Sequence, residues 1–270
     1  MKTLITIICV GIIGHSPVLA QSLRYPVELP YTALSAYSHV ESDPFSFSSN
    51  QAALAGVKQP MIGVFGERRF MLDVTGTYRL AAVIPTQQGG FGLQVDHAGF
   101  SNFSENRIGL AYGRRLGSAL DLGIQFNYYG YRIPVYGNAS ACYVEGGAIF
   151  HYSERLEAGI HVYNPVGGKL FNAPDEKLAA VYSAGLGYDI SPDLFMGIEM
   201  VKEEDRPLNV VSGIQYRFAD GFFARAGLVS ETGSLFAGVG AGWNKLRLDL
   251  SASYHPLLGL SPGILFVAKF

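Results

Sequence analysis

From Leu120 to Tyr129 apolar and more polar side chains alternate at every position, and the same two-residue beat returns along most of the chain. One face carries Leu120, Leu122, Ile124, Phe126 and Tyr128; the other carries Asp121, Gly123, Gln125, Asn127 and Tyr129. Leu246 to Tyr254 alternates with Arg247, Asp249, Ser251, Ser253 and His255. Cys142, Val144, Ala148, Phe150 and Tyr152 alternate with Tyr143, Glu145, Gly147 and His151. Successive side chains of a strand point to opposite faces, so each stretch is a strand with one apolar and one polar face. About fourteen such segments follow one another, each long enough to cross a bilayer as a tilted strand.

Composition narrows what such strands can build. The 270 residues are 49% hydrophobic and only 16% charged, which excludes a disordered chain. Beyond the first 20 positions there is no uninterrupted apolar run of about 18 residues, so no helix is a candidate membrane span. The connections sort by length. Gln87-Gln88-Gly89, Leu116-Gly117-Ser118, Ser191-Pro192-Asp193 and Asn244-Lys245 are tight, whereas those between them, such as 67–75, 132–140 and 164–177, are longer. Short turns at one rim and longer loops at the other are the habit of bacterial outer-membrane barrels. Tyr112, Tyr152, Tyr188, Phe218 and Trp243 fall outward near the short-turn ends, where interfacial rings form a girdle. The expectation is an all-β, antiparallel transmembrane barrel of about 14 strands over residues 61–270, placed in a Gram-negative-type outer membrane with lipids as its first partners.

Two segments precede the barrel. Residues 1–20 read as a cleavable signal peptide, with Lys2 in the n-region, Leu4 to Ile13 as apolar core and a cut before Gln21. Residues 21–60 are polar and Ser-rich, and read as a plug entering the barrel or a segment across its mouth. Within them Asn50, Gln51, Ala52 and Ala53 form a short helix capped by Ser49 or Asn50. Of the cysteines, Cys9 leaves with the leader, so Cys142 has no intrachain partner and no disulfide framework exists.

The inward faces carry charge of both signs in equal number. Arg79, Arg107, Arg115, Arg217, Arg225, Arg247 and Lys269 are matched by Asp96, Asp121, Glu145, Glu157, Asp189, Glu199 and Asp249. A selective pore favours one sign at its constriction, so a balanced set predicts a paired network filling the lumen. Inward glycines (Gly109, Gly123, Gly185, Gly213, Gly238 and Gly240) leave room for the N-terminal segment. Phe195, Phe223, Phe236, Leu265 and Val267 also point inward, which leaves space for an apolar pocket.

No enzyme chemistry emerges. His39, His97, His151, His161 and His255 stand without a serine in a nucleophile context such as G-x-S-x-G. There is no H-x-x-x-H or cysteine pair for a metal, and Gly238-Val239-Gly240-Ala241-Gly242 lies within a strand rather than before a helix. Twenty basic against 22 acidic residues argue against a nucleic-acid partner. No cofactor is expected.

A short N-terminal hatch with an Asn-x-Ala-x-x-Ala helix (Asn50, Ala52, Ala55) followed by Gly- and Tyr-rich strands resembles the PorV/PorQ group of Bacteroidetes outer-membrane proteins, itself similar to the FadL fatty-acid channels. Gly90-Phe91-Gly92-Leu93 and Arg107-Ile108-Gly109-Leu110-Ala111-Tyr112 belong to the similar stretch, 31–131. The chain has Asn50-Gln51-Ala52 where that group usually has Asn-Pro-Ala. The resemblance implies either a non-enzymatic partner subunit of a type IX secretion or envelope-assembly complex, docking with other envelope proteins, or uptake of hydrophobic molecules. Charge balance and short loops make the partner subunit the first expectation and the FadL-like channel the alternative.

Overall fold

The computed structural model describes residues 34–41, 43–134, 137–171 and 173–270, without the side chains of 173–176. The leader and the first part of the plug segment lie outside the described residues. From Met61 onward the chain forms strands β1 (Met61–Arg68), β2 (Gly76–Thr86), β3 (Gly89–Phe100), β4 (Phe103–Leu116), β5 (Leu120–Ile133), β6 (Gly137–His151) and β7 (Leu156–Tyr163). After a two-stranded hairpin, β8 (Lys169–Leu170) and β9 (Ala173–Lys177), come β10 (Val181–Ser191), β11 (Leu194–Glu203), β12 (Asn209–Ala219), β13 (Phe222–Val229), β14 (Ser234–Trp243), β15 (Leu246–His255) and β16 (Gly259–Lys269). All but β8 and β9 join one closed barrel of antiparallel neighbours, sealed by β1 against β16 from Met61↔Lys269 to Glu67↔Gly263. Closure leaves no strand edge unpaired, the condition for β structure in lipid.

Alternation sets the facing. Leu110, Phe126, Ile198, Leu250 and Ile264 stand outward and exposed, while Gln94, Asp96, Gln125, Glu145 and Asp249 are buried inside. The first strand, whose sequence reads either way, turns Met61 and Phe65 inward and Val64 outward. Tyr152, Tyr188, Phe218 and Trp243 are exposed near the short-turn rim.

The loop asymmetry is milder than expected. β5 and β6 stay paired to Ile133↔Gly137, so 132–140 is mostly strand. The strand ends there carry Arg132, Asn138 and Ser140, so hydropathy reads them as loop although the backbone ladder continues. The connection after β7 is itself folded. Leu170 and Leu178 are buried against Tyr129, Ala139, Ala141 and Tyr143, so this loop tucks into the long-loop mouth.

Candidate functional site

Residues 34–37 and 43–55 of the plug segment pack inside the barrel, and the wall is shaped to receive them. Leu34–Tyr37, Ser46–Ser48 and Gln51–Gly56 are short 3-10 helices, the last of them at the place of the short helix expected around Asn50. Asn50 caps the last of them, its side chain accepting from Ala52 N at 3.1 Å. The Asn50 amide also donates to Ala148 O (3.2 Å) and Ile160 O (3.1 Å) of the wall. Gln51 Nε2 donates to Glu145 Oε2 at 2.8 Å. Ala52 is buried and Ala53 packs partly buried beside Ala36, Tyr37 and Ile149.

Glycine makes this approach possible. A Cβ on Gly123 would lie 2.2 Å from the Gln51 carbonyl carbon, one on Gly147 2.1 Å from Asn50 Oδ1, and one on Gly185 2.1 Å from the Tyr37 ring. Of the inward glycines singled out in the sequence, Gly123, Gly185 and Gly213 face the hatch. Gly109 instead admits the Gln125 and Asn127 side chains, and Gly240 the Phe223 ring. Tyr37 is fully buried and donates from its hydroxyl to Glu199 Oε1 at 3.0 Å. Ser38 Oγ and His39 N both donate to Asp189, at 2.7 and 2.9 Å.

The lumen charges form connected groups. Asp96 takes Arg79 Nε at 2.6 Å and Arg107 Nε at 2.9 Å; Arg107 reaches on to Glu145 at 3.3 Å, which also meets His161 at 3.2 Å. Arg115 holds Asp121 at 2.8 Å, and His151 lies between Asp121 (2.9 Å) and Glu157 (2.7 Å). Arg225 meets Asp249 at 3.0 Å, and Arg247 meets both Asp249 (3.1 Å) and the hatch residue Asp43. Arg217 pairs with the hatch residue Glu41 at 2.7 Å. Burial pushes the Asp43 carboxyl up, but Arg247 and Arg225 outweigh it and hold it below the usual carboxylate range. The hatch thus supplies charges that complete the wall's pairing. Of its anchors, only 50–53 are singled out by the sequence; Tyr37, Glu41, Asp43, Phe45 and Phe47 are not. Aromatic residues in an otherwise polar segment are the signal that could have found three of them.

Two apolar clusters complete the interior. Phe45, Phe47 and Leu54 of the hatch pack with Met61, Phe65, Val83, Leu265 and Val267 of the wall. Leu34 packs with Phe195, Val211 and Phe236, with Val229 against them. Behind the second cluster the wall thins. Gly197, Gly213 and Gly227 are direct partners across β11, β12 and β13. Leu34, Phe195 and Phe236 rest on their backbone from inside, where a Cβ on Gly227 would lie 2.2 Å from the Phe236 ring. Outside, the same glycines floor an apolar groove of about 710 Å³, flanked by Leu186, Met196, Ile198, Ile214, Leu228 and Leu235. Tyr188 and the small outward residues Ser212 and Ala226 complete its lining. One backbone layer therefore separates a lipid-facing groove from an apolar cluster in the lumen.

No protein-family model and no curated protein matches the sequence. Solved structures do match in fold. The CymD monoaromatic hydrocarbon channel is similar with a TM-score of 0.64 at 12% identity, covering 87% of this chain and 94% of that one. The Ralstonia pickettii toluene transporter TbuX follows with a TM-score of 0.61 at 11% identity over 84% and 94%. A Pseudomonas aeruginosa FadL homologue has a TM-score of 0.56 at 13% identity over 84% and 93%. The chain thus has the closed, antiparallel barrel fold of FadL-type outer-membrane proteins.

Proposed function

We propose that the chain is a non-enzymatic outer-membrane channel of the FadL type, through which small hydrophobic molecules pass by way of the lumen and the thinned wall. The observation that carries this reading is the groove over Gly197, Gly213 and Gly227, backed across a single backbone layer by Leu34, Phe195 and Phe236. An apolar solute in that cluster exchanges hydrocarbon for hydrocarbon when it leaves into lipid, so desolvation sets no barrier on the way out. Because the β12–β13 ladder is paired from Val211↔Val229 to Ala219↔Phe222, passage requires it to part locally. Glycine weakens a strand where it must open. The hatch then acts as the gate, since Leu34 closes the inner side of that wall.

This reading reverses the order of the two sequence expectations. The solved structures similar in fold include a monoaromatic hydrocarbon channel, a toluene transporter and a FadL homologue. The charge balance that pointed to a docking subunit has an internal explanation, because hatch residues Glu41 and Asp43 take part in the pairing. A secretion-complex subunit of the PorV/PorQ kind rests on sequence resemblance alone.

Photo-crosslinking tests the route. A diazirine-bearing alkylbenzene is equilibrated with the purified barrel and its adducts are mapped. Adducts on Leu34, Phe195 or Phe236 in both proteins, and adducts along the groove that are lost in a Ser212→Trp variant filling it, are the expected result. Adducts confined to the lipid belt in both proteins would refute it.

A further inference from the structure

Where the hatch leaves the lumen, His39 comes against the wall residues His151 and Glu157, and the ligand atoms of all three lie within 4.8 Å of one another. We propose that these three side chains bind a divalent transition-metal ion, Zn²⁺ by their chemistry, that clasps the hatch to the barrel wall.

The geometry is close to a metal shell. His39 Nε2 is 3.1 Å and His151 Nδ1 2.7 Å from Glu157 Oε1. In a tetrahedron with bonds of about 2.0–2.1 Å, ligand atoms stand roughly 3.3 Å apart, so each imidazole needs to draw back from Glu157 by about half an ångström or less. The two wall ligands are direct cross-strand partners, His151↔Glu157, which fixes their separation. The third arrives with the hatch, held by His39 N and Ser38 Oγ on Asp189.

The surroundings fit a metal-ligating imidazole. Once His151 Nδ1 gives its lone pair to the ion, its proton must sit on Nε2, which is 2.9 Å from Asp121 Oδ2. Asp121 is in turn gripped by Arg115 at 2.8 and 2.9 Å. A carboxylate behind a ligating histidine is the usual arrangement that sets tautomer and raises basicity. Oxygen atoms crowd the two imidazoles. Both nitrogens of His151 face carboxylates, and His39 Nε2 also lies 3.2 Å from Ser153 O. A cation at the centre of the cluster would meet the negative charge of Glu157 and, behind His151, that of Asp121. Two imidazoles and a carboxylate suit Zn²⁺ rather than Mg²⁺ or Ca²⁺, which take oxygen ligands. His39 is partly exposed and lines a cavity of about 600 Å³ between hatch and wall, which gives the ion a way in. No linear motif announces the site, because its ligands come together only when the hatch enters the barrel.

The experiment uses the mature chain in detergent, without a histidine tag and stripped by a chelator. Zn²⁺ is followed by equilibrium dialysis, Co²⁺ by its visible absorption, and hatch cleavage by limited proteolysis. The expected result is one ion per barrel, a tetrahedral Co²⁺ spectrum, and Zn²⁺ protection of the hatch. His39→Ala should weaken binding roughly a hundredfold or more and abolish the protection, while Asp121→Asn weakens it about 10–100-fold. His39 is on the hatch, so His39→Ala leaves the wall intact, and heat-modifiable gel mobility verifies the barrel. Equal Zn²⁺ affinity of wild type and His39→Ala, or protection by protons alone at acid pH, would overturn the proposal in favour of a hydrogen-bonded imidazolium.

Discussion

Replacing Gly185 by alanine should expel the hatch while leaving the barrel closed. The added Cβ would sit 2.1 Å from Tyr37 Cε2 and 2.4 Å from its Cζ, and a fully buried ring on a hatch that is anchored at several points has little freedom to move aside. Tyr37 then loses its burial, about 2–3 kcal/mol, and its hydroxyl bond to Glu199, about 1–3 kcal/mol. Together this is about 3–6 kcal/mol taken from hatch docking. The strand itself is unharmed, because alanine keeps the β10 ladder to β7 and β11. Gly242→Ala is the matched control, since a Cβ there meets nothing nearer than 3.7 Å. The assay is thiol labelling of Ala53→Cys in a Cys142→Ser background. If local opening precedes labelling, 3 kcal/mol corresponds to a rise of roughly a hundredfold in rate. Equal labelling in Gly185→Ala and Gly242→Ala would refute the reasoning that wall glycines hold the hatch.

Other outcomes follow from the same geometry. Leu250→Arg, in mid-strand on the lipid face, should cost about 2–4 kcal/mol of folding free energy in vesicles, whereas Tyr254→Arg near the rim should cost about 0–1; equal costs would contradict the threading. Arg107→Met deprives Asp96 and Glu145 of a shared buried partner and should cost about 3–5 kcal/mol in denaturant unfolding. Asp43 is held below its ordinary value when docked, so its contribution is complete above the unfolded carboxylate range near 4 and fades as pH falls through the lowered docked value. Hatch labelling, taken at each pH relative to a freely exposed cysteine so that the falling thiolate fraction cancels, should therefore stay flat from neutral pH to about 4 and rise only below it. In Asp43→Asn that acid step should be missing.

The strands were legible because lipid and lumen impose opposite demands on neighbouring positions, so each segment prints its facing in alternation. Val64 and Phe65 are both apolar, and there the pattern leaves the facing open until β1 pairs with β16. The charge network was legible as a balance of signs but not as a wiring diagram. Asp43 with Arg247 spans a sequence separation of 204, and no local pattern carries such a pairing. The β8–β9 loop escaped because its apolar residues, Leu170-Phe171 and Leu178 to Ala180, stand on either side of 172–177 in runs too short to read as strands. The thin wall was hidden for another reason. Gly197, Gly213 and Gly227 become neighbours only through strand register, and each taken alone reads as one more barrel glycine.

Uptake by intact cells tests the channel most directly. The chain is expressed in a host that lacks its own hydrophobic channels but keeps a lipopolysaccharide layer, and entry of a radiolabelled monoaromatic hydrocarbon is timed beside that of a polar sugar. Faster entry of the hydrocarbon only is expected, and its loss in Ser212→Trp with the barrel still folded in the membrane. Hydrocarbon entry no faster than in the empty host, or acceleration of the sugar as well, would contradict it.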